Sequence, residues 1–265
     1  APERSTPSDW AVERGVGHER MKTDATWHNL DQQTAVLLRG DSVRVLSAGS
    51  FPMLLPSLDE LEGVLALGRV SDREVRLHPA EVERGSGVLR AEARVEAEAW
   101  VVSLEATGPG VVGRSRQGAP LPELSGGFGI SQPVLVRADF DPARDELLEA
   151  MIPSTTFPMG GSAGLYFELY GVEAGQHVAM RLSYEVEEVR RSFFGRIASA
   201  LGLGGGPSGP VTVEWTEQLE RVRDGVGSVF IATQLTDLPT GDLELTIAAA
   251  QGDRTARTTT NLKSR

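Results

Sequence analysis

Apolar and polar residues alternate one by one along most of this chain, and short turn signals separate the alternating stretches. Residues 88–98 show the pattern most clearly, with valine, leucine and alanine between arginines and glutamates. Alanine and glutamate favour helix, but a period of two places every second side chain on one face of a strand and is the stronger signal. Gly40 with Asp41, and Asp224 with Gly225, are typical of two-residue hairpin turns. The sequence therefore predicts an all-β fold of antiparallel strands.

The turn signals and proline-rich connections divide the chain into two β-domains. We predict two tandem antiparallel β-sandwiches of the immunoglobulin-like type at residues 33–138 and 164–265, joined by a linker at residues 139–163. Each domain is long enough to enclose its own hydrophobic core. A late strand at residues 129–136 is expected to complete the first sandwich, with Pro133 at an edge or a bulge.

Residues 1–32 form a polar N-terminal segment with no sustained periodicity. Two interpretations stay open for it, an extended arm and a disordered tail, because chain termini are ordered only when something holds them. Trp10 and Trp27 favour the arm, since a docked indole would attach it to the body or to a partner. The small residue Ala1 at the start fits cleavage of a signal peptide, and it also fits a chain shortened in another way. We expect an exported, periplasmic protein that is peripheral to the membrane.

Composition excludes several classes of function. The formal net charge is −11 and only two lysines occur, so binding to nucleic acid, which depends on neutralising phosphates, is not expected. The chain has no cysteine, which excludes disulfides, thiolate zinc sites and cysteine nucleophiles. No apolar run approaches the length of about 20 residues that a membrane-spanning helix needs.

An insertion at residues 190–209 interrupts the alternating pattern of the second domain. Its apolar residues have the spacing of one helix face, arginines accompany them, and a glycine-rich stretch follows. Three interpretations stay open: a short helix folded over its own sandwich, a helix that binds a protein partner, and a helix that contacts a lipid surface. The candidate interaction residues of the whole chain are Trp10, Trp27, Arg190, Arg191, Phe193, Phe194, Arg196, Ile197 and Leu201.

Motifs that could carry catalysis or hold a cofactor lack their structural context. Residues 160–164 match the G-x-S-x-G nucleophile elbow, but a proline precedes them and a β-pattern follows, whereas the elbow joins a strand to a helix. The glycines of residues 202–209 lack the lysine of a phosphate loop. The four histidines are scattered, and the aspartates at 139, 141 and 145 lack the spacing of a calcium loop. We therefore predict no catalytic residues, no cofactor and no metal.

Several strand and turn motifs carry a family resemblance. Residues 103–105 (SLE), 129–131 (GIS), 165–171 (LYFELYG) and 238–245 (LPTGDLEL) resemble the β-rich C-terminal region of bacterial GWxTD-domain proteins, over roughly residues 34–262. The Gly-Trp-x-Thr-Asp motif itself is absent. The resemblance implies an exported module of two sandwiches with no chemistry of its own. A cysteine-free β-protein of this kind also resembles an accessory subunit of a bacterial photosynthetic reaction centre–light-harvesting complex.

Two function hypotheses remain from these observations, and neither is an enzyme. The first is a structural or interaction subunit that stabilises or bridges a larger extracytoplasmic or membrane-associated assembly through other protein subunits. The alternative is a module that binds a small ligand of the carbohydrate type. An exposed Trp100 or Trp215 on a concave face would favour this alternative, and burial of both would count against it.

Overall fold

The structure, a computed structural model, describes residues 26–52, 60–69, 75–83, 85–157, 162–186, 211–234 and 241–264. This part of the chain is mostly β-strand, which confirms the predicted all-β class. Its elements are β1 (Thr26–Asn29), β2 (Asp31–Arg39), β3 (Ser42–Ser50), β4 (Glu62–Arg69), β5 (Val75–Val82), β6 (Val88–Glu96), β7 (Trp100–Gly108), β8 (Val111–Ala119), β9 (Leu124–Ser125), β10 (Phe128–Ile130), β11 (Val134–Arg137), α1 (Leu147–Ala150), β12 (Thr156–Phe157), β13 (Ser162–Tyr170), β14 (His177–Val186), β15 (Val211–Gln218), β16 (Val222–Arg223), β17 (Val226–Gln234), β18 (Gly241–Gln251) and β19 (Arg254–Ser264).

A curled sheet of eight strands forms the N-terminal unit, in the order β1-β8-β7-β4-β5-β6-β3-β2. Neighbouring strands are antiparallel, except that β1 runs parallel to β8. The sheet bends at β5, because residues 75–80 pair with β4 whereas Glu81 and Val82 pair with β6. The two halves of the sheet enclose one buried cluster, to which Leu65 of β4 and Val45 of β3 both belong.

Two sheets packed face to face form the C-terminal unit. The first has the order β16-β17-β13-β10-β9, with β11 also paired to β13, and the second has the order β12-β19-β18-β14-β15. Phe128 and Phe167 of the first sheet share a buried cluster with Val178 and Ile247 of the second. Burial of such apolar side chains on both inner faces is the main force that holds two sheets together.

Both predicted hairpin turns are present, and their backbone angles explain their residues. Gly40, between β2 and β3, has a φ of +68°, whereas the φ of Asp41 is not positive. A type II′ turn has this combination at its two central residues. Asp224 and Gly225, between β16 and β17, have φ values of +52° and +77°, so both central residues are left-handed as a type I′ turn requires. Aspartate and glycine tolerate that region better than other residues.

The late strand expected at residues 129–136 is two strands, β10 and β11. Pro133 lies between them, where its missing N–H cannot contribute to a ladder. Ser131 fills the interruption, because its N–H donates to the carbonyl of Glu168 at 2.9 Å and its Oγ accepts the N–H of Glu168 at 2.9 Å. The expected strand is therefore interrupted at this proline and divided into two short strands, each paired with β13.

Sheet membership changes earlier in the chain than the sequence suggested. The predicted first domain ended at residue 138, but β9, β10 and β11 belong to the sheet that contains β13. The change between the two units falls in the connection from Ala119 to Leu124. The cause is that β10 and β11 pair with β13, a partner that their own alternation does not identify.

Candidate functional site

The contact between the two units is the most extensively bonded polar site in the described part of the chain, and we call it the junction. Its apolar part lies on β2 and β3, which bury both of their faces. Val45 of β3 faces the core of the N-terminal unit, whereas Leu37 and Leu46 share a second cluster with Val136 and Met151. The two units are therefore packed together through a common buried cluster.

An ion pair crosses the polar side of the junction. The guanidinium of Arg39, at the end of β2, donates from Nη1 to Oε2 of Glu168 and from Nη2 to Oε1, both at 2.7 Å. Glu168 lies in the middle of β13, and its side chain is 2% exposed. This bidentate geometry is the strongest form of an arginine–carboxylate pair. The Glu168 carboxylate raises the pKa of Arg39, so Arg39 stays positively charged at every ordinary pH.

Two tyrosines complete the coordination of the same carboxylate. The hydroxyl of Tyr166 donates to Oε1 of Glu168 at 2.9 Å, and the hydroxyl of Tyr170 donates to Oε2 at 3.2 Å. Tyr170 in turn accepts the backbone N–H of Leu38 at 3.2 Å, which links β13 directly to β2. Burial, and secondly the charge of Glu168, raise the pKa of both phenols above the ordinary tyrosine range.

The chemistry of this cluster is structural. Both carboxylate oxygens of Glu168 accept two hydrogen bonds, which occupies the lone pairs that a carboxylate offers. The raised pKa keeps each phenol protonated as a donor, and no nucleophile with an adjacent base is present in the cluster. A fully satisfied buried network of this kind specifies one arrangement of the groups around it.

Gln33 of β2 joins the units at a second point, on the same face as the apolar cluster. Its side-chain amide donates to the carbonyls of Leu135 and Ile152, each at 2.8 Å, and its Oε1 accepts the N–H of Leu135. The amide thus pairs with Leu135 as a peptide group of a neighbouring strand would. Gln33 is 3% exposed, so these bonds are shielded from water.

The predicted interaction residues lie almost entirely outside the described residues. Trp10 and the whole set from the insertion are outside them, namely Arg190, Arg191, Phe193, Phe194, Arg196, Ile197 and Leu201. The backbone of Trp27 is described, and it pairs in β1 with Val112 of β8. The extended arm, the helical insertion and the contacts proposed for both therefore stay predictions.

The tryptophans named for ligand binding occupy different environments. Trp100 is 2% exposed, and its indole N–H donates to the carbonyl of Glu96 at 3.1 Å. The guanidinium groups of Arg69 and Arg76 each lie 5.4 Å from its ring centroid, as in cation–π contacts. Trp215 is partly buried on β15, packed against the core of the C-terminal unit. Burial removes Trp100 as a stacking platform for a sugar and leaves Trp215.

The motifs considered for catalysis and metal binding have structural roles where they are described. Ser162 and Gly164 of the G-x-S-x-G motif belong to β13, so a strand and not a helix follows the serine. Asp141 and Asp145 form a turn, in which Asp145 accepts the N–H of Asp141 at 2.8 Å. Within the described ranges, no group of three or more histidine, aspartate or glutamate side chains is placed to hold a metal. No helix in those ranges is long and apolar enough to span a bilayer.

Comparisons with known proteins found neither a matching protein family nor a matching curated protein. Among solved structures, the chain is similar to the FN1–FN3 domains of chicken CNTN1, with 8% identity and a TM-score of 0.26 over 91% of this chain and 68% of that one. It is similar to red sea bream transglutaminase, with 10% identity and a TM-score of 0.27 over 100% of this chain and 34% of that one. It is also similar to elastase-activated Escherichia coli alpha-2-macroglobulin, with 13% identity and a TM-score of 0.27 over 89% and 23% of the two chains. These similarities assign the chain to no family.

Proposed function

We propose that the chain is a non-catalytic structural subunit that bridges or stabilises a larger extracytoplasmic or membrane-associated protein assembly. In this proposal two tandem immunoglobulin-like sandwiches, with an extended N-terminal arm, act as one rigid piece. The junction is the observation that supports it. Domains joined only by a linker move relative to each other by default, whereas here an apolar cluster, a buried ion pair and the Gln33 amide all cross the contact.

A bridging subunit has to be rigid, whereas catalysis does not require two units to be fixed to each other in this way. A protein that holds two partners must keep its binding surfaces at a constant distance and angle, because ordering them at each encounter costs conformational entropy. The Glu168 network has no free acceptor with which to bind a substrate. The proposal therefore assigns the junction to positioning and assigns binding to surfaces outside it.

The insertion at residues 190–209 and residues 1–25 of the arm are the proposed contact surfaces, since residues 26–29 and 31–32 of the predicted arm belong to β1 and β2. In this proposal Phe193 and Phe194 bind another protein subunit, and the neighbouring arginines contact acidic groups of the partner or of a membrane surface. The resemblance to an accessory subunit of a photosynthetic reaction centre–light-harvesting complex makes such a complex the first assembly in which to search. Export to the periplasm belongs to the same proposal, and cell fractionation tests it.

Affinity purification from the native source tests the proposed function. The tagged full chain is compared with a variant that lacks residues 192–205 and with a Phe193→Ser/Phe194→Ser variant. A Leu77→Ser variant is the matched control, because Leu77 is an apolar side chain on β5 that is 43% exposed. We expect the full chain and the control to recover the same protein subunits and both insertion variants to lose them. Equal recovery with folded insertion variants would refute the role of the insertion, and recovery of no subunit by the full chain would refute the bridging function.

The carbohydrate-binding alternative depends on Trp215. Its indole N–H donates to Oε2 of Glu217 at 3.0 Å, so one edge of the ring is already engaged. In this alternative the partly exposed ring stacks on a sugar. Titration of oligosaccharides while the tryptophan fluorescence is recorded tests it, with a Trp215→Phe variant to assign the signal. A fluorescence change that the variant abolishes would favour the alternative over the bridging function.

A further inference from the structure

β15, the last strand of its sheet, presents a long sheet edge that no strand in the described part of the chain covers. The other outermost strands, β1, β9, β12 and β16, are between two and four residues long, so their neighbours β8, β17 and β19 are paired on that side over only part of their length. The edge of β2 is partly covered, because the N–H of Leu38 donates to the hydroxyl of Tyr170 and the carbonyl of Gln32 accepts the side-chain amide of Gln117. β15 has eight residues and pairs only with β14 among the described strands. A long open edge presents a row of peptide groups that another strand can pair with.

The hydrogen bonds next to β15 show which of its peptide groups are free. Leu219, directly after β15, donates its N–H to the carbonyl of Gln176 at 3.1 Å and accepts the N–H of Gly175 at 2.8 Å, so its peptide groups point towards β14. The register from His177 to Tyr184 is continuous, and successive residues of a strand direct these groups to opposite sides. The groups that point to the open side therefore belong to Thr212, Glu214, Thr216 and Gln218.

The side chains of β15 define the chemistry of a partner strand. Val213 is 44% exposed, and with Trp215 it lies on the face that continues the core. Glu214, on the opposite face, is 60% exposed. It accepts a 2.7 Å hydrogen bond from the Nε of Arg181 on β14. β15 also carries Glu217 and has no lysine or arginine of its own. A partner that fits has apolar residues on one face and basic residues on the other.

Charge argues against a second copy of this chain as the occupant. Two β15 strands paired with each other would bring the Glu214 side chains of both copies to one face and the Glu217 side chains to the other, without a cation on either strand, and like charges on paired strands are destabilising. The net charge of −11 adds long-range repulsion between copies.

We propose that β15 is a β-augmentation site, at which an extended basic and apolar segment of a partner protein adds a strand to the sheet β12-β19-β18-β14-β15. Its backbone pairs with the open side of β15, its apolar residues cover Val213, and its lysines or arginines lie beside Glu214. This inference rests on the proposed function, because it names the kind of subunit segment that the protein would hold.

Peptide binding to the full chain tests the site. The first probe is a peptide of alternating valine and lysine that matches β15 in length, and the second has glutamate in place of lysine. A third probe carries N-methyl groups on every second residue of the valine–lysine peptide, which removes the donors needed for pairing while the side chains stay the same. We expect the first probe to bind, the second not to bind, and the third to bind at least about thirtyfold more weakly, because about four net hydrogen bonds are lost.

A pair of variants at one position tests the protein side of the same contact. Thr216→Pro removes a donor on the open side and leaves the β14 ladder intact, whereas Thr216→Val keeps that donor and serves as the matched control. We expect the proline variant to bind the valine–lysine peptide about tenfold more weakly and the valine variant to bind it normally. The N-methylated probe gives the same information on the unmodified protein if the proline variant does not fold.

The outcomes separate this site from the proposed function. Failure of the valine–lysine probe to bind, equal binding of the lysine and glutamate probes, or equal binding of the N-methylated probe would each overturn the site. Recovery of native subunits by a folded Thr216→Pro chain at the wild-type level would overturn it too, while the bridging function would stand. Selective peptide binding by a chain that recovers no subunits would support the site and refute the bridging function.

Discussion

Replacing Arg39 by leucine is expected to destabilise the protein by about 3 kcal/mol, because Glu168 then stays buried without its counter-ion. Removing one partner of a buried ion pair costs about 3–5 kcal/mol. Two features place the expected cost at the lower end of that range. Glu168 keeps its bonds from Tyr166 and Tyr170, and the Arg39 side chain is 30% exposed, so water already solvates part of the lost group.

The complete experiment is a double-mutant cycle across the junction. Glu168→Leu alone is expected to cost about 2 kcal/mol, since Arg39 can turn towards solvent. The Arg39→Leu/Glu168→Leu variant is expected to cost about 3 kcal/mol, less than the sum of the single changes, because it leaves no buried charge. The difference is a coupling free energy of about 2 kcal/mol.

Urea unfolding, followed by circular dichroism and by tryptophan fluorescence, measures these free energies. Arg44→Leu is a matched control in the same sheet, because its guanidinium also binds a carboxylate at 2.7 Å but that partner, Glu92, is 42% exposed. An exposed pair contributes about 0–1 kcal/mol. Single-variant costs below about 0.5 kcal/mol, or strictly additive costs, would refute the claim that the buried pair holds the units together.

Three further predictions concern the junction and the sheet that supports it. Gln33→Leu is expected to destabilise the chain by about 2–4 kcal/mol in urea unfolding, because the N–H of Leu135 and the carbonyl of Ile152 lose the bonds from Gln33; a cost near zero would contradict this. Gly164→Ala is expected to cost about 1–3 kcal/mol in thermal unfolding, because an added Cβ would lie 2.1 Å from the Phe230 ring; wild-type stability would contradict it. Burial raises the pKa of Tyr166 and Tyr170 well above the ordinary range, so neither phenol should contribute tyrosinate absorbance in the folded chain near pH 10. Stability should fall above that pH by about 1.4 kcal/mol per pH unit for each of these two phenols, since the unfolded chain loses their protons first; ordinary ionisation of all three tyrosines in the folded protein would refute their burial.

The strand pattern of the N-terminal unit could be predicted from sequence where one face of a strand meets water. β6 is the clearest case, because its buried residues alternate with its charged ones along Val88–Glu96 although alanine and glutamate favour helix. Alternation succeeds there because burial of one face outweighs intrinsic propensity. The turns at Gly40 and Asp224 were predictable for a local reason, since the φ values they need favour glycine and aspartate.

The junction could not be predicted, because its partners lie far apart in the chain. Arg39 and Glu168 are 129 residues apart, and Gln33 and Leu135 are 102 residues apart. A charged residue beside a hairpin turn is ordinarily solvated, so nothing local distinguishes Arg39 from the other arginines. One signal was available. The consecutive apolar residues at positions 35–38 break the alternation, as in a strand that is buried on both faces.

A similar signal marked β13. Residues 163–170 are all buried, and the single glutamate lies between two tyrosines on the face opposite Phe167. A charged residue within an aromatic strand needs a counter-ion from elsewhere in the molecule, and this need identifies a long-range contact without naming the partner.

β2 receives its contacts with the C-terminal unit only late in the synthesis of the chain. All strands of the N-terminal unit precede residue 120, but the groups that bond the Gln33 side chain and the N–H of Leu38 on β2 come from Leu135, Ile152 and Tyr170. On a ribosome, the N-terminal sheet therefore completes its own ladder before these groups have been synthesised, for a time on the order of seconds at ordinary elongation rates. An exposed edge with apolar residues on both faces is a site for pairing with other nascent chains. The chain is therefore most prone to aggregate when only its N-terminal unit has been synthesised. A chaperone that protects the chain has to bind β2 before the second unit emerges.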